Sequence, residues 1–159
     1  YVRETEGRFN ANGVDLNRNW GCGWQPEAVW RDTPVSPGAQ PVSEPETAAL
    51  ADYIRAQRPQ VALFYHSAAA GVYSGSCDET AQGAAGTAAS TALAAVYGEA
   101  AGYSYGQSFS AYPVTGTAPS WAAGLGIAAA DVELQSWSDP ELERNLSALR
   151  AVMTWMAAN

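Results

Sequence analysis

The sequence predicts an α/β fold in which a mixed, mostly parallel sheet is flanked by helices. Short apolar runs rich in β-branched and aromatic residues alternate with longer segments that have helical spacing and capping signals. The resulting order of helix, strand, helix, strand, helix implies at least two parallel strands connected through helices. A chain of 159 residues corresponds to about one domain, so we expect residues 1–159 to form a single one.

The first regular element is expected after a long irregular segment. Residues 1–40 are predicted to be loop-rich, because glycine and proline recur throughout them. Ser43 and Glu46 match a capping box, in which the side chains of a serine and of a glutamate three residues later satisfy the first amides of a helix. We therefore expect a helix that is capped by Ser43 and continues to Gln57.

A strand and a second helix are expected next. Pro59 ends the first helix, and the apolar run 61–65 predicts a buried strand that closes on His66. Residues 67–83 are rich in glycine and serine and predict a loop. The alanine-dense segment 84–101 predicts a helix that ends at a glycine.

The last third of the chain contains another strand and the final helix. Residues 102–120 are predicted to be a long loop, and loops of that length usually carry function. The apolar run 127–134 predicts a buried strand in which Asp131 and Glu133 share a face, because strand side chains alternate. A second capping box begins at Ser138 and precedes a helix with an apolar side chain every three or four residues.

The composition excludes several classes of partner. The chain has 16 acidic and 8 basic residues and a formal net charge of −8, so we expect no binding to nucleic acid or to anionic membrane surfaces. No apolar stretch approaches the roughly 20 residues of a spanning helix, so no membrane insertion is expected.

Cys22 and Cys77 lie in turn-like surroundings that fit a disulfide. With the acidic surface and the absence of lysine, this favours an extracellular or secreted protein, which we expect to be bacterial.

Several residues are candidates for chemistry. His66 lies at the carboxyl end of a strand, where open α/β sheets bind ligands, and it is either a metal ligand or a structural histidine. Asn17 and Arg18 could bind a carboxylate, or Arg18 could simply pair with an aspartate. Glu133 in its apolar strand is a general-base candidate with a raised pKa, or a glutamate that faces solvent or an arginine. Tyr112 could reach over a site from its loop, or be a surface aromatic.

Taken together in chain order, these residues indicate a protein family more specifically than any one of them does. The order is Arg3, then Gly-Val-Asp-Leu-Asn-Arg-Asn-Trp at 13–20, Ser-Glu-Pro-Glu-Thr at 43–47, His66-Ser67, Tyr112 and Glu133-Leu134. It resembles the zinc carboxypeptidase family related to pancreatic carboxypeptidase A. The resemblance covers the whole chain and corresponds to the second half of that family's catalytic domain, so it implies part of a carboxypeptidase-like α/β/α sandwich.

The resemblance implies a set of binding residues. His66 would be a zinc ligand, and zinc is the implied cofactor. Asn17 and Arg18 would bind the free C-terminal carboxylate of the substrate, and Tyr112 would cap that carboxylate. Ser67, directly after the histidine, is expected to contact the substrate as well. The implied partners are therefore peptide or protein C-termini.

The resemblance also implies the catalytic residues. Glu133 would be the general base, and Arg3 would polarise the scissile carbonyl, with Arg8 as the rival for that role. The side chain of the terminal residue would enter a pocket near residues 117–120, which are neutral. The expected function is that of a zinc-dependent metallocarboxypeptidase that releases C-terminal residues from peptides.

The chain departs from the family pattern in its metal ligands. The family's first two zinc ligands form a His-x-x-Glu motif, whereas this chain has one histidine and begins at Tyr1. We therefore expect an N-terminally truncated domain that is inactive by itself, because zinc sites need at least three protein ligands. Two alternative functions stay open: a non-catalytic domain that binds peptide C-termini, and a cell-wall peptide amidase of the same family.

Overall fold

The structure is a computed structural model that describes residues 7–106 and 112–159. A 3-10 turn, Leu16–Arg18, precedes the other elements. These are, in chain order, β1 (Ala28–Trp30), β2 (Thr33–Val35), α1 (Pro45–Gln57), β3 (Val61–Ser67), β4 (Gly71–Ser74), α2 (Ala81–Ala101), β5 (Ser104–Gly106), α3 (Ala118–Gly124), β6 (Ala128–Leu134) and α4 (Leu142–Ala158).

The central sheet has four strands in the order β3-β6-β4-β5. Strand β6 pairs in parallel with β3 and antiparallel with β4, and β4 pairs in parallel with β5. The sheet is therefore mixed and mostly parallel, as the sequence predicts. Strands β1 and β2 form a separate antiparallel hairpin.

Helices cover both faces of the sheet. Helices α2 and α4 pack on one face, where Ala130 and Val132 of β6 belong to the core. Helices α1 and α3 pack on the other face, where Ala129 of β6 contributes. Because strand side chains alternate, Asp131 and Glu133 face the side of α1 and α3, which confirms that they share a face. The α/β class and the layered arrangement are confirmed.

Three segments that were predicted to be loops contain regular structure. The hairpin β1–β2 lies within the loop-rich first 40 residues, and β4 lies within residues 67–83. Strand β5 and the start of α3 lie within residues 102–120. The strands were missed because each has three or four residues and forms through pairing with a neighbour, so its own sequence carries little signal.

Both predicted capping boxes are wrong. Helix α1 begins at Pro45 without a side-chain cap, because the Ser43 hydroxyl instead donates to the carboxylate of Glu44 over 2.8 Å. Helix α4 begins at Leu142 after Glu141, which has a positive φ of 51°, so the helix starts three residues later than a cap at Ser138 would allow.

The predicted disulfide between Cys22 and Cys77 is present. It joins the segment that follows the 3-10 turn to the loop that precedes α2. Across the described residues, no helix is long and apolar enough to cross a membrane.

Candidate active site

A cleft of about 380 Å³ opens where β3 and β6 end. Its walls come from the 3-10 turn, the β1–β2 hairpin, the ends of β3 and β6, and the segment before α3. The sequence-predicted residues that line it are Asn17, Arg18, His66, Ser67, Tyr112 and Glu133. The fold therefore brings together six of the seven predicted site residues. The seventh, Arg3, lies outside the described residues.

His66 is held by an acidic neighbour on the adjacent strand. Its Nε2 lies 3.1 Å from Oδ1 of Asp131. That oxygen atom is buried and accepts no hydrogen bond from any other described group. Burial lowers the pKa of His66, but the contact with Asp131 and the charges of Asp131 and Glu133 outweigh it and raise the pKa overall. An imidazole whose Nε2 faces a carboxylate keeps Nδ1 as a potential metal ligand, an arrangement common around zinc.

Glu133 lies beside His66 in the register of the two parallel strands. Its side chain lines the cleft and is partly buried. Burial raises the pKa of Glu133, and the nearby charge of Asp131 adds to the increase, although the charge of His66 partly opposes it. A carboxylate with a raised pKa in a cleft can accept a proton from water near neutral pH.

The 3-10 turn positions the candidate carboxylate-binding residues. Asp15 precedes the turn, and its Oδ1 accepts a hydrogen bond from the amide of Asn17 over 3.2 Å. The side-chain oxygen of Asn17 accepts from the amide of Ala118 over 3.3 Å. The oxygen of the Asn17 amide group is therefore engaged, which leaves its nitrogen, a donor, for an anion in the cleft.

Arg18 is almost fully buried, with 2% of its surface exposed. Its Nε donates to the carbonyl of Val29 over 3.1 Å, and its Nη1 donates to the carbonyl of Asn17 over 2.7 Å. Burial lowers its pKa, whereas the charge of Asp15 and the side chain of Tyr112 act in the opposite direction. The guanidinium is thus fixed by two carbonyls and by the side chain of Tyr112, and its planar fork of donors is suited to a carboxylate.

Asn19 anchors the turn to the start of α1. The side chain is fully buried; its nitrogen donates to the carbonyl of Pro37 over 2.7 Å, and its oxygen accepts from the amide of Glu44 over 3.2 Å. The residue that follows Arg18 therefore has a structural role, and it holds the turn in place rather than binding a ligand.

Arg8, the rival of Arg3, is found in the cleft. Its Nε and Nη2 both approach Oδ2 of Asp15, at 2.8 and 2.6 Å. Its positive charge opposes protonation of both His66 and Glu133, so it offsets part of the increase in their pKa values. Arg8 therefore lines the same cleft as these two groups, whereas Arg3 lies outside the described residues.

The sequence did not single out Asp15, Trp30, Arg31 or Asp131 as site residues, yet they shape this cleft. The guanidinium carbons of Arg8 and Arg31 lie 4.8 and 4.7 Å from the ring centroid of Trp30. Two of them had a signal in the sequence: Asp15 lies two residues before Asn17, which is typical of a side chain that caps a turn, and Asp131 was expected to share a strand face with Glu133.

The expected neutral pocket near residues 117–120 stays a prediction. These residues form the N-cap and first turn of α3, where the Thr117 hydroxyl accepts from the amide of Ser120. They do not line the cleft, but Ala118 lines a second cavity of about 210 Å³ together with Asn17 and His66.

His66 fits one position of a zinc site. Neutral imidazole is a preferred zinc ligand, and Asp131 would hold the ring from its other nitrogen. Within the described ranges, the one cluster of three potential ligand residues is Cys22, Cys77 and Glu79, whose sulfurs are joined in the disulfide. The described residues therefore supply part of a coordination sphere and no complete one.

Comparisons with known proteins indicate the family and the fold. A family model described as zinc carboxypeptidase matches residues 2–142. Murein peptide amidase A of Escherichia coli (strain K12) is 42% identical over 37% of this chain and 28% of its own length. The crystal structure of a murein-tripeptide amidase from Escherichia coli O157 is 26% identical, with a TM-score of 0.63, and the match covers 92% of this chain and 60% of that chain.

Two further solved structures share the fold. Bovine thrombin-activatable fibrinolysis inhibitor, in complex with a tick carboxypeptidase inhibitor, is 22% identical with a TM-score of 0.71, over 92% of this chain and 57% of that chain. Carboxypeptidase A from Helicoverpa armigera is 19% identical with a TM-score of 0.65, over 91% and 41%. In each comparison the matched part of this chain spans less than two thirds of the other protein.

Proposed function

Because the chain belongs to the zinc carboxypeptidase family, we propose that it hydrolyses the amide bond next to a terminal carboxylate of a peptide, with zinc as the cofactor. The observation that carries this proposal is the shared cleft. A carboxylate-binding pair, Asn17 and Arg18, opens into the same space as a metal-ligand candidate, His66, and a general-base candidate, Glu133.

The binding step uses the residues of the 3-10 turn. Arg18 and the amide nitrogen of Asn17 would hold the terminal carboxylate, and Tyr112, whose side chain is hydrogen-bonded to Arg18, would close over it. Ser67, which directly follows His66 and also lines the cleft, is proposed to contact the terminal residue of the substrate. Fixing the carboxylate places only the last amide bond at the reacting groups, which makes the enzyme an exopeptidase.

The chemical step uses the groups at the ends of β3 and β6. His66 would be one of the ligands of zinc, which supplies acidification of a water molecule and polarisation of the scissile carbonyl. Glu133 takes a proton from the attacking water and delivers it to the nitrogen that leaves as an amine. Arg8 stabilises the negative charge that develops on the carbonyl oxygen, and Arg3 remains its rival for that role.

A direct test compares one peptide with a free carboxylate and the same peptide with an amidated C-terminus, using the protein as its gene encodes it. We expect hydrolysis of the free peptide, loss of activity with a chelator and recovery with zinc. Glu133→Gln should abolish turnover with little change in binding, whereas Glu143→Gln, an exposed change on α4, should change nothing. Equal hydrolysis of the amidated peptide would exclude the exopeptidase function. Near-normal turnover by Glu133→Gln would exclude that residue as the base.

A second candidate is a cell-wall peptide amidase. It is supported by the identity to murein peptide amidase A and by the likeness to the murein-tripeptide amidase structure. Turnover of murein tripeptide but not of ordinary peptides would favour the amidase, and the reverse would favour the carboxypeptidase. Binding of both without hydrolysis would favour a non-catalytic domain.

The Cys22–Cys77 disulfide supports the further proposal that the protein is exported.

A further inference from the structure

Asp131 is a residue of the cleft whose negative charge the proposed function does not use. It lies on β6 two residues before Glu133 and faces the same side of the sheet. Its one ion pair among the described residues is with His66, whose Nε2 lies 3.1 Å from Oδ1. The Asp131 side chain is 17% exposed, so most of it is buried but a ligand in the cleft can still reach it.

A single histidine leaves this carboxylate short of hydrogen-bond donors. The other ion pairs between described residues each contain an arginine: Arg8–Asp15, Arg55–Asp52 and Arg144–Glu141. An ionised carboxylate has about four acceptor positions, whereas His66 supplies one N–H group, at Oδ1. The described residues donate no further hydrogen bond to Asp131. A mostly buried carboxylate with unused acceptor positions favours a ligand that brings N–H donors and positive charge.

Aromatic side chains flank Asp131 in the sheet. In the register of the strands, its partner on β3 is Phe64 and its partner on β4 is Tyr73. Paired residues of neighbouring strands lie about 5 Å apart and point to the same face. Tyr73 lines the cleft, and Phe64 lines the second cavity, which shares Asn17 and His66 with the cleft. Aromatic rings beside a carboxylate suit an ammonium group on an alkyl chain, because the rings contact the methylene groups and attract the cation.

The position of Asp131 relative to Glu133 suits the side chain of a terminal residue. Glu133 is proposed to act at the last amide bond, and Asp131 lies about 7 Å further back along the same strand. His66 links the two positions, since it pairs with Glu133 in the strand register and contacts Asp131. The four-carbon stem of a lysine side chain covers a comparable distance and is flexible.

We propose that Asp131 is a specificity-determining residue that binds a primary ammonium group on the side chain of the terminal residue, an inference that rests on the proposed function. The preferred substrates then end in a residue such as lysine. The arginines of the cleft, Arg8, Arg18 and Arg31, all belong to the first 31 residues, whereas Asp131 and Glu133 belong to β6. The two signs of charge therefore enter the cleft on different elements, which matches a residue with a carboxylate at one end and an ammonium group at the other.

The test uses two peptides that differ only in ending in lysine or in norleucine, which has the same side-chain carbons without the ammonium group. The value of kcat/KM is measured for the protein as its gene encodes it. We expect about a tenfold preference for lysine, the size of one hydrogen bond between charged groups, and a smaller preference as salt is added.

Asp131→Asn should bring the ratio of the two kcat/KM values close to one, because asparagine keeps an oxygen for His66 but has no charge. A role of Asp131 in holding His66 alone would give a different result, since a weaker hold slows both peptides equally and leaves their ratio unchanged. Asp52→Asn is the matched control, because Asp52 lies on α1 with its side chain 80% exposed and does not line the cleft. Asp131→Ser, which also removes the charge, repeats the comparison if Asp131→Asn does not fold.

The inference is overturned if the wild type does not prefer lysine, or if Asp131→Asn keeps the full preference. Failure of the proposed function gives a different result, since the wild type would then hydrolyse neither peptide. In that case, or if the variant is inactive with both peptides, calorimetry with N-acetyllysine and N-acetylnorleucine decides. Tighter binding of N-acetyllysine that is lost in Asp131→Asn supports the inference. Equal binding of the two compounds, binding of neither, or a preference that survives in the variant overturns it.

Discussion

Replacing Asp15 by asparagine tests whether one carboxylate organises the cleft. In the structure its Oδ2 accepts from two nitrogens of Arg8, and its Oδ1 accepts from the amide of Asn17. An asparagine has nearly the same shape and can keep the bond to Asn17 through its oxygen. Its amide nitrogen would then face the donors of Arg8, so the ion pair is lost and two sets of donors oppose each other.

The expected loss of stability follows from the burial of the pair. Removing one partner of a buried ion pair costs about 3–5 kcal/mol. The Asp15 side chain is 3% exposed but that of Arg8 is 22% exposed, so solvent screens part of the interaction and we expect about 2–3 kcal/mol. For a domain of this size, this corresponds to a decrease in Tm of about 5–10 °C.

The same substitution at Asp52 is the matched control. Asp52 and Arg55 also form an ion pair, at 3.2 Å, but their side chains are 80% and 49% exposed. Exposed pairs contribute at most about 0.5 kcal/mol, so Asp52→Asn should hardly change the denaturant midpoint. Chemical unfolding of both variants gives the two values. If Asp15→Asn costs no more than Asp52→Asn, the Arg8 pair does not stabilise the fold and the reasoning is refuted.

Two other predictions concern stability. Replacing both Cys22 and Cys77 by serine should lower the free energy of unfolding by about 4 kcal/mol, the chain-entropy value for a separation of 55 residues. Urea unfolding measures this loss. A loss below about 1 kcal/mol would show that the disulfide hardly constrains the unfolded chain. Hydrogen bonds from Asn12, Asn10 and Ser43 lower the pKa of Glu44 in the folded protein. The stability that its carboxylate contributes is therefore fully present above the ordinary glutamate pKa of about 4.3. It is lost as the pH falls through the lower pKa of the folded state. The stability advantage of the wild type over Glu44→Gln should therefore be constant from pH 5 to 8 and shrink towards pH 3, and an advantage that is unchanged at pH 3 would contradict this.

The sequence predicts the long central elements well because their signals are local. The apolar runs that end in His66 and Leu134 form the two parallel strands β3 and β6. Strand β6 is largely buried as predicted, but the predicted burial of the run 61–65 is wrong, because β3 is the edge strand of the described sheet and its side chains are only partly buried or, like Tyr65, exposed. The order of motifs also predicts which residues meet, because the carboxyl ends of parallel strands share one edge of a sheet. Asn17, His66 and Glu133 accordingly line one cleft.

The parts that were not predicted depend on contacts between distant segments. Strand β4 exists because it pairs with β6, and the hairpin that presents Arg31 has only three residues in each strand, one of them Pro34. The cap predicted at Ser43 failed because that hydroxyl is used by Glu44 and by the buried amide of Asn19. No local pattern could show that a neighbour 24 residues away would take this group.

The two sides of the cleft differ in how firmly they are built. Strand β6, which carries Glu133, is hydrogen-bonded to strands on both of its edges, so its amides should exchange with solvent among the slowest in the protein. The hairpin that carries Arg31 has two strands of three residues, and ribbons of that size are marginally stable alone. Sequence change in the hairpin should therefore alter the wall of the cleft that Trp30 and Arg31 form, while the floor that β3 and β6 form keeps its geometry.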